Sequence, residues 1–190
     1  MIKKSLEFIR EISTVLLIVG LTLLVILLGL QNRKLKNRLE LLSHTPVSLQ
    51  INEKVPVLRI RSLMNEYREI DFEKTESVTL LFVFSTTCPS CVKSLAIWNE
   101  ITDSVKGSHL TIMGISIHDS SKTALFLKHH ALNFPVYLAK DTSFERDFKV
   151  ESVPQTILIT RRGFVANNWT GRVDSTRRND LFDGIFRHSY

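Results

Sequence analysis

The feature that most constrains this chain is an apolar stretch at residues 12–30, ISTVLLIVGLTLLVILLGL, in which none of the 19 residues is charged. As a helix rising about 1.5 Å per residue it measures about 28 Å, close to the thickness of the hydrocarbon core of a bilayer. A buried core helix would be shorter and would carry a polar face, and a cleaved signal peptide would end in a small-x-small cleavage site. The stretch instead leads directly into Gln31, Asn32 and Arg33. We therefore predict an uncleaved single-pass transmembrane anchor with its span at about residues 12–30.

The charge of the chain is concentrated around this stretch. The net charge is +6, and residues 1–40 carry +4 of it. The nearly balanced remainder lacks the basic excess that binds nucleic acid, so we predict no nucleic-acid partner. Basic residues flank the stretch on both sides: Lys3, Lys4 and Arg10 before it, and Arg33, Lys34, Lys36 and Arg38 after it. Because the positive-inside rule depends on a difference between the two flanks, these charges do not fix the orientation of the anchor.

Three leucines continue the helical spacing beyond the apolar stretch: Leu35, Leu39 and Leu42. They predict an amphipathic juxtamembrane helix that ends near Ser43, because Pro46 follows shortly after. We therefore divide the chain into an anchor at residues 1–43 and one folded domain at residues 50–190.

The remaining residues alternate between strand and helix patterns. Continuous apolar runs at 78–84 and 110–117 are typical of strands that are covered on both faces. Further strands are predicted at 57–61, 67–72, 134–138, 155–160 and 164–169, and helices at 89–103, 119–131, 142–148 and 174–187. On the first of these helices we expect four residues to recur on the core-facing side: Val92, Leu95, Ala96 and Ile101. The order of elements predicts an α/β fold in which a mixed sheet has helices on both faces.

The two cysteines of the chain form the motif Cys88-Pro-Ser-Cys91 between a buried strand and a helix. This spacing across a helix start brings two sulfur atoms within reach of a disulfide. The helix N-terminus stabilises a thiolate at Cys88, which predicts that Cys88 is the nucleophile and that Cys91, one turn into the helix, is the resolving thiol. We predict no cofactor other than a redox-active Cys88–Cys91 disulfide.

Two other interpretations of the cysteine pair are half of a structural zinc site and a chance pair of buried thiols. Zinc requires two more ligands, and the six histidines are scattered along the chain, at His44, His109, His118, His129, His130 and His188. We therefore predict no metal site. A redox pair is the better interpretation of a C-x-x-C motif in a strand–helix context.

A second motif, Val153-Pro154, directly precedes the strand pattern QTILIT. Taken alone, such a dipeptide is usually an ordinary trans turn. Together, however, FVFSTTCPSC and SVPQTILITRRGFV resemble the thioredoxin-like superfamily, and in particular the membrane-anchored TlpA/ResA-type thiol–disulfide oxidoreductases. The resemblance covers about residues 50–187.

The resemblance implies a thioredoxin-like three-layer fold with a mixed central sheet. It implies that Pro154 is cis and faces the cysteine pair, that the backbone of Val153 pairs with an extended substrate, and that Thr87 also borders the substrate. It further implies a single-pass protein of the bacterial inner membrane whose domain is extracytoplasmic. There it would act as a reductase of protein thiol/disulfide substrates and would be supplied by an upstream membrane electron donor.

Three positions depart from the family pattern. Thr87 stands where the family usually has Trp, Phe82 stands where many thioredoxins bury an Asp, and Ser94 stands where the ResA type has a Glu. Neither family carboxylate is present to accept the proton of Cys91.

Two alternative functions share this fold. A peroxidase of peroxiredoxin type needs Ser or Thr three residues before its cysteine, which Ser85 satisfies, and Pro four residues further back, where this chain has Leu81. A copper-delivery protein would use both thiolates and a histidine. Related copper chaperones space their cysteines by three residues, whereas this chain has two between Cys88 and Cys91.

Overall fold

The computed structural model describes residues 16–34, 36, 48–139 and 141–189. The chain divides into two units, Met1–Thr45 and Pro46–Tyr190, and the division lies within the predicted linker. In the first unit, helix α1 (Leu16–Lys34) is exposed along its length, and by length and composition it is long and apolar enough to cross a membrane. It ends four residues beyond the predicted end of the span. Residues 12–15 and the predicted juxtamembrane leucines lie outside the described residues.

The second unit contains seven strands and four α-helices among its described residues. The strands are β1 (Leu58–Arg61), β2 (Tyr67–Ile70), β3 (Val78–Phe84), β4 (Leu110–Ser116), β5 (Val136–Ala139), β6 (Gln155–Ile159) and β7 (Val165–Thr170). The helices are α2 (Pro89–Ser104), α3 (Ser120–His129), α4 (Ser143–Asp147) and α5 (Ser175–Ser189), and a 3₁₀ turn occupies Phe72–Lys74. Every predicted strand and helix of this unit is therefore present.

The strands form one mixed sheet in the order β2-β1-β5-β4-β3-β6-β7. Strands β3, β4 and β5 are parallel neighbours, and the remaining pairs are antiparallel. Because parallel crossovers are right-handed, the two successive steps from β3 to β5 place α2 and α3 on the same face of the sheet. The carboxyl ends of the three parallel strands consequently meet at one edge, and this edge carries the cysteine pair.

The sheet is packed on both faces, as predicted. One face carries the buried side chains Leu80, Phe82 and Phe84 of β3 and packs against α2, α3 and α5. The other face carries Leu81 and Val83 and packs against the phenylalanines of α4 and the segment that precedes β1. A completely buried strand is what its continuous apolar sequence predicts.

Two details differ from the sequence-based predictions. The strand predicted to begin at Phe134 begins at Val136, because Pro135 has no N–H group to give to the sheet. On α2, Leu95 and Ile101 are buried as predicted, but Val92 and Ala96 are exposed. The other buried positions of this helix are Cys91, Ser94, Trp98 and Thr102. Trp98 anchors this face because its ring stacks on Phe82 at 4.8 Å between centroids.

An ion pair ties the segment before β1 to the loop that leads into β6. The Lys149 ammonium lies 2.6 Å from a Glu53 carboxylate oxygen, and the Gln50 amide donates to the other oxygen at 2.9 Å. Partial burial acts to raise the pKa of Glu53, but the hydrogen bonds from Gln50 and Lys149 and the charge of Lys149 hold that pKa below its ordinary value.

We expect Glu53→Gln to lower the free energy of unfolding at pH 7 by about 1 kcal/mol, the scale of a partly exposed ion pair. A carboxyl whose pKa is lowered by folding stabilises the protein above its unfolded-state pKa of about 4.5 and loses that contribution as the pH falls further. The difference between variant and wild type should therefore shrink between pH 5 and pH 3. Urea unfolding of the detergent-solubilised protein, followed by tryptophan fluorescence, measures it.

The matched control is Glu69→Gln, which removes an ion pair with Arg59 whose side chains are both more than half exposed. We expect this change to cost less than about 0.5 kcal/mol. A loss in Glu53→Gln that stays constant from pH 7 to pH 3 would contradict the interpretation.

Candidate active site

The cysteine pair lies where β3 passes into α2. Cys88 is the N-cap of α2 with extended backbone (φ −90°, ψ 112°), and Pro89 is the first helical residue. Proline suits this position because its ring fixes φ at a helical value and a first-turn N–H is not missed. The Cys91 amide donates to the Cys88 sulfur at 3.2 Å, so the sulfur occupies the place of a capping oxygen at the positive end of the helix.

The two thiols differ sharply in environment. Cys88 is half-buried and Cys91 is completely buried. Burial, followed by the hydrogen bond and charge of Cys88, raises the pKa of Cys91 to about 12, although a hydrogen bond from the Ser85 backbone acts in the opposite direction. Cys91 is therefore a neutral thiol over the physiological pH range.

The second motif lies against the first. The Val153–Pro154 peptide bond is cis, and the Cys88 thiol donates to the Val153 carbonyl at 3.5 Å across 65 residues of sequence. Pro154 is buried, and its carbonyl accepts from the Gly171 amide at 2.8 Å. The fold thus brings Cys88, Val153 and Pro154 together at one edge of the sheet.

A cluster of hydroxyl groups and one imidazole supports the loop before Cys88. Thr87 is exposed beside Cys88, and its hydroxyl lies 3.1 Å from that of Ser85. The two ring nitrogens of His118 reach this loop, with Nδ1 at 2.5 Å from the Thr86 hydroxyl and Nε2 at 3.5 Å from the Ser85 hydroxyl.

His118 is the site residue that sequence reasoning missed, since it entered only as one of six scattered candidates for zinc. The feature of the sequence that could have identified His118 is its position directly after a predicted parallel strand. His118 follows β4, the parallel neighbour of β3, and Ser116 in β4 is in register with Phe84 in β3. Side chains that follow adjacent parallel strands meet at the same edge. Among the described residues, no three His, Cys, Asp or Glu side chains come together as a metal site.

Ser94 replaces the family glutamate and has a structural contact of its own. It is completely buried, its hydroxyl donates to the Ser90 carbonyl at 3.0 Å, and it accepts from the Val173 amide at 3.1 Å. A glutamate here would displace the Val173 contact. None of the groups that act on the pKa of Cys91 is a carboxylate.

The fold and the paired motifs define a thioredoxin-like redox domain. The structure superimposes with a TM-score of 0.67 on a DsbE-type thiol:disulfide interchange protein of Chlorobium tepidum, which is 20% identical, and the match covers 75% of this chain and all of the other. This likeness establishes the predicted thioredoxin-like fold.

Sequence comparison then gives the family. Residues 51–168 match the AhpC/TSA family, and the chain belongs to that family. It is 22% identical to sporulation thiol–disulfide oxidoreductase A of Bacillus subtilis over 70% of this chain and 84% of that protein. It is 27% identical to the thiol–disulfide oxidoreductase ResA of Bacillus cereus over 65% of this chain and 71% of that protein. The predicted resemblance to thioredoxin-like thiol–disulfide oxidoreductases is confirmed, and both relatives support the prediction that the chain is an oxidoreductase.

We expect Ser94→Ala to lower the free energy of unfolding by about 1–3 kcal/mol, because it leaves the buried Val173 amide without an acceptor. The matched control is Ser104→Ala on the same helix. Ser104 makes the same bond to the carbonyl four residues earlier, at 2.8 Å from Glu100, but it is exposed. That change should stay within about 0.5 kcal/mol of wild type. Equal losses in the two variants, measured by urea unfolding, would show that the Val173 contact contributes nothing.

Proposed function

We propose that this protein is a membrane-tethered thiol–disulfide oxidoreductase that acts through Cys88 and Cys91 as a reductase of extracytoplasmic protein disulfides. The observation that carries the proposal is the arrangement of the pair. The half-buried sulfur of Cys88 caps the N-terminus of α2. Cys91, one turn further along, has a fully buried thiol, and its backbone N–H donates to the Cys88 sulfur.

The arrangement supports an ordered exchange. The Cys88 thiolate attacks a substrate disulfide, an S–S bond forms between Cys88 and the substrate, and the second substrate sulfur leaves as a thiolate. Cys91 then loses its proton to that leaving thiolate and attacks the Cys88 sulfur, so that the S–S bond between Cys88 and the substrate breaks and the first substrate sulfur also leaves as a thiolate. The products are a Cys88–Cys91 disulfide and a reduced substrate, and two electrons have passed from the protein to the substrate. Because Cys91 is buried and neutral, it does not compete with Cys88 for the first step.

Val153, Pro154 and Thr87 are the proposed substrate-binding residues. The Val153 carbonyl already faces the Cys88 sulfur, so an extended substrate segment that pairs with the Val153 backbone brings its disulfide beside that sulfur. Pro154 has no N–H group and so keeps this position free of a competing donor. Thr87 directly precedes Cys88 and is exposed.

The proposed location follows from the anchor and the redox chemistry together. Helix α1 is compatible with a single pass through a bacterial inner membrane. In the cytosol the glutathione and thioredoxin pools keep thiols reduced, so a tethered reductase has disulfides to act on outside the cytoplasm. Each turnover consumes the reduced pair, and an upstream membrane electron donor must regenerate it.

The alternative functions receive less support from the geometry. Leu81, which stands at the position of the peroxiredoxin proline, is completely buried and pairs with Ile157 in the centre of the sheet. For copper delivery, the histidine at this edge is His118, and its ring nitrogens are engaged by Thr86 and Ser85.

We expect Cys91→Ser to accumulate a mixed disulfide on Cys88 when the full-length protein is incubated with native, disulfide-bonded insulin, because the resolving thiol is absent. Cys88→Ser should accumulate none. Non-reducing electrophoresis and mass spectrometry distinguish the two. In the reduced wild type, iodoacetamide at pH 8 should modify Cys88 alone, since a thiol with a pKa of about 12 is ionised in about one molecule in ten thousand at that pH. Equal alkylation of the two cysteines would contradict the assignment.

We expect the domain to be extracytoplasmic. Because Cys88 and Cys91 are the only cysteines of the chain, a membrane-impermeant maleimide should label Cys88 in intact cells after mild reduction, and Cys88→Ser should abolish the labelling. Alkaline phosphatase fused after the last residue should be active, since it folds only outside the cytoplasm. Labelling only after lysis, with an inactive fusion, would place the domain in the cytoplasm.

A further inference from the structure

We propose that His118 is a positioning residue for the cysteine pair. Its imidazole holds the loop that precedes Cys88, and its charge state sets how readily Cys88 reacts as a thiolate. The inference rests on the proposed function, because it concerns the reactivity of the same thiols.

The imidazole is held from both sides. Nδ1 lies 2.5 Å from the Thr86 hydroxyl and Nε2 lies 3.5 Å from the Ser85 hydroxyl. The backbone amide of His118 donates to the Ser116 hydroxyl at 3.3 Å, and Ser116 is buried and bonded to Thr123 at 2.8 Å. The backbone of His118 is therefore tied to β4 and α3, and its ring reaches from there to the two hydroxyl groups of the loop.

Ser85 connects the imidazole to the thiols. Its carbonyl accepts from the Cys88 amide at 3.3 Å, and its backbone forms the hydrogen bond that acts to lower the pKa of Cys91. Its hydroxyl faces His118 and also accepts from the Thr87 amide at 3.3 Å. Because Ser85 is almost fully buried, a change in the His118 contact is transmitted to the loop rather than to solvent.

The charge state of the imidazole changes the direction of these bonds. A neutral ring has one donor and one acceptor nitrogen, so one neighbouring hydroxyl donates to it and the other accepts. A protonated ring has two donors, so both hydroxyls accept, and a positive charge lies beside the Cys88 loop. Positive charge near a cysteine favours its thiolate. Imidazole is the side-chain type that changes charge between pH 5 and pH 8.

Other charged groups face the same imidazole. His118 lines a cavity of about 170 Å³ together with Arg61 of β1, Asp119 at the start of α3, and Asp141 and Glu145 at and beside α4. Three carboxylates and one guanidinium thus line the same cavity as the imidazole.

The test measures the rate of Cys88 alkylation by iodoacetamide from pH 5 to pH 9, and the equilibrium of the pair with glutathione, in the detergent-solubilised full-length protein. The variants are His118→Ala and His118→Gln. The matched control is His109→Ala, because His109 directly precedes β4 as His118 follows it, and it is exposed at the opposite edge of the sheet.

We expect His118→Ala to slow alkylation at pH 6 by about threefold to tenfold, the effect of up to one pK unit on a thiolate. We expect wild type to show an inflection between pH 5 and pH 8, and we expect His118→Ala to lack it. His118→Gln should recover wild-type unfolding behaviour without recovering the inflection, and His109→Ala should match wild type. The glutathione equilibrium should shift by a similar factor in both His118 variants.

A wild-type profile without an inflection between pH 5 and pH 8 would overturn the proposal, even if His118→Ala does not fold. So would a His118→Gln variant with a wild-type profile. These readouts need no protein substrate. If wild type fails to reduce insulin while the alkylation profile behaves as expected, the proposed function fails and the role of His118 stands.

Discussion

The burial of β3 on both of its faces is the constraint on which the rest of this structure depends. All seven residues of the strand are buried, and β4 and β6 hold it by hydrogen bonds on either side. Packed interiors are dense and resist displacement, so the carboxyl end of β3 at Phe84 is a fixed point. The chain enters α2 only five residues later, and Cys88 takes its position from that fixed point rather than from its own contacts.

The start of α2 then gives the two cysteine side chains, Cys88 and Cys91, different chemical environments. The sulfur of Cys88 accepts from the Cys91 N–H in the first turn, whereas the Cys91 side chain lies in the apolar cluster shared with Leu95 and Trp98. One residue type therefore serves as a solvent-facing nucleophile and as a protected partner. The two cysteines have different environments because they are three residues apart along the start of α2, so that their side chains point in different directions. No additional charged group is needed for this difference.

The sequence was sufficient to predict those strands and helices whose structure is determined by a local pattern of residues. The continuous apolar run at 78–84 predicted β3 to the residue, and the helix predicted at 119–131 is α3, for which Asp119 is the N-cap. On α2 the pattern was ambiguous, because Val92 and Ala96 are apolar but the side that meets the sheet is decided by where β3 and β6 lie. Contacts such as Ser94 with Val173 and His118 with Thr86 join residues that are far apart in sequence, and only the strand order brings them together.

Phe82 and Ser94 occupy the two positions that carry carboxylates in the families this chain resembles. Their contacts explain why the ionisable group near the cysteine pair lies elsewhere, at His118. The ring of Phe82 stacks on Trp98 in the completely buried core, where an unpaired carboxylate would cost several kcal/mol of desolvation. The hydroxyl of Ser94 already joins the Ser90 carbonyl of its own helix to the Val173 amide of another segment. Neither position can gain a charge without losing a contact that the fold uses. The face beneath Cys91 consequently stays apolar, and the ionisable group beside the loop comes from the next strand, through His118. Because His118 is half-exposed at the edge of the sheet, solvent reaches it without any opening of the core.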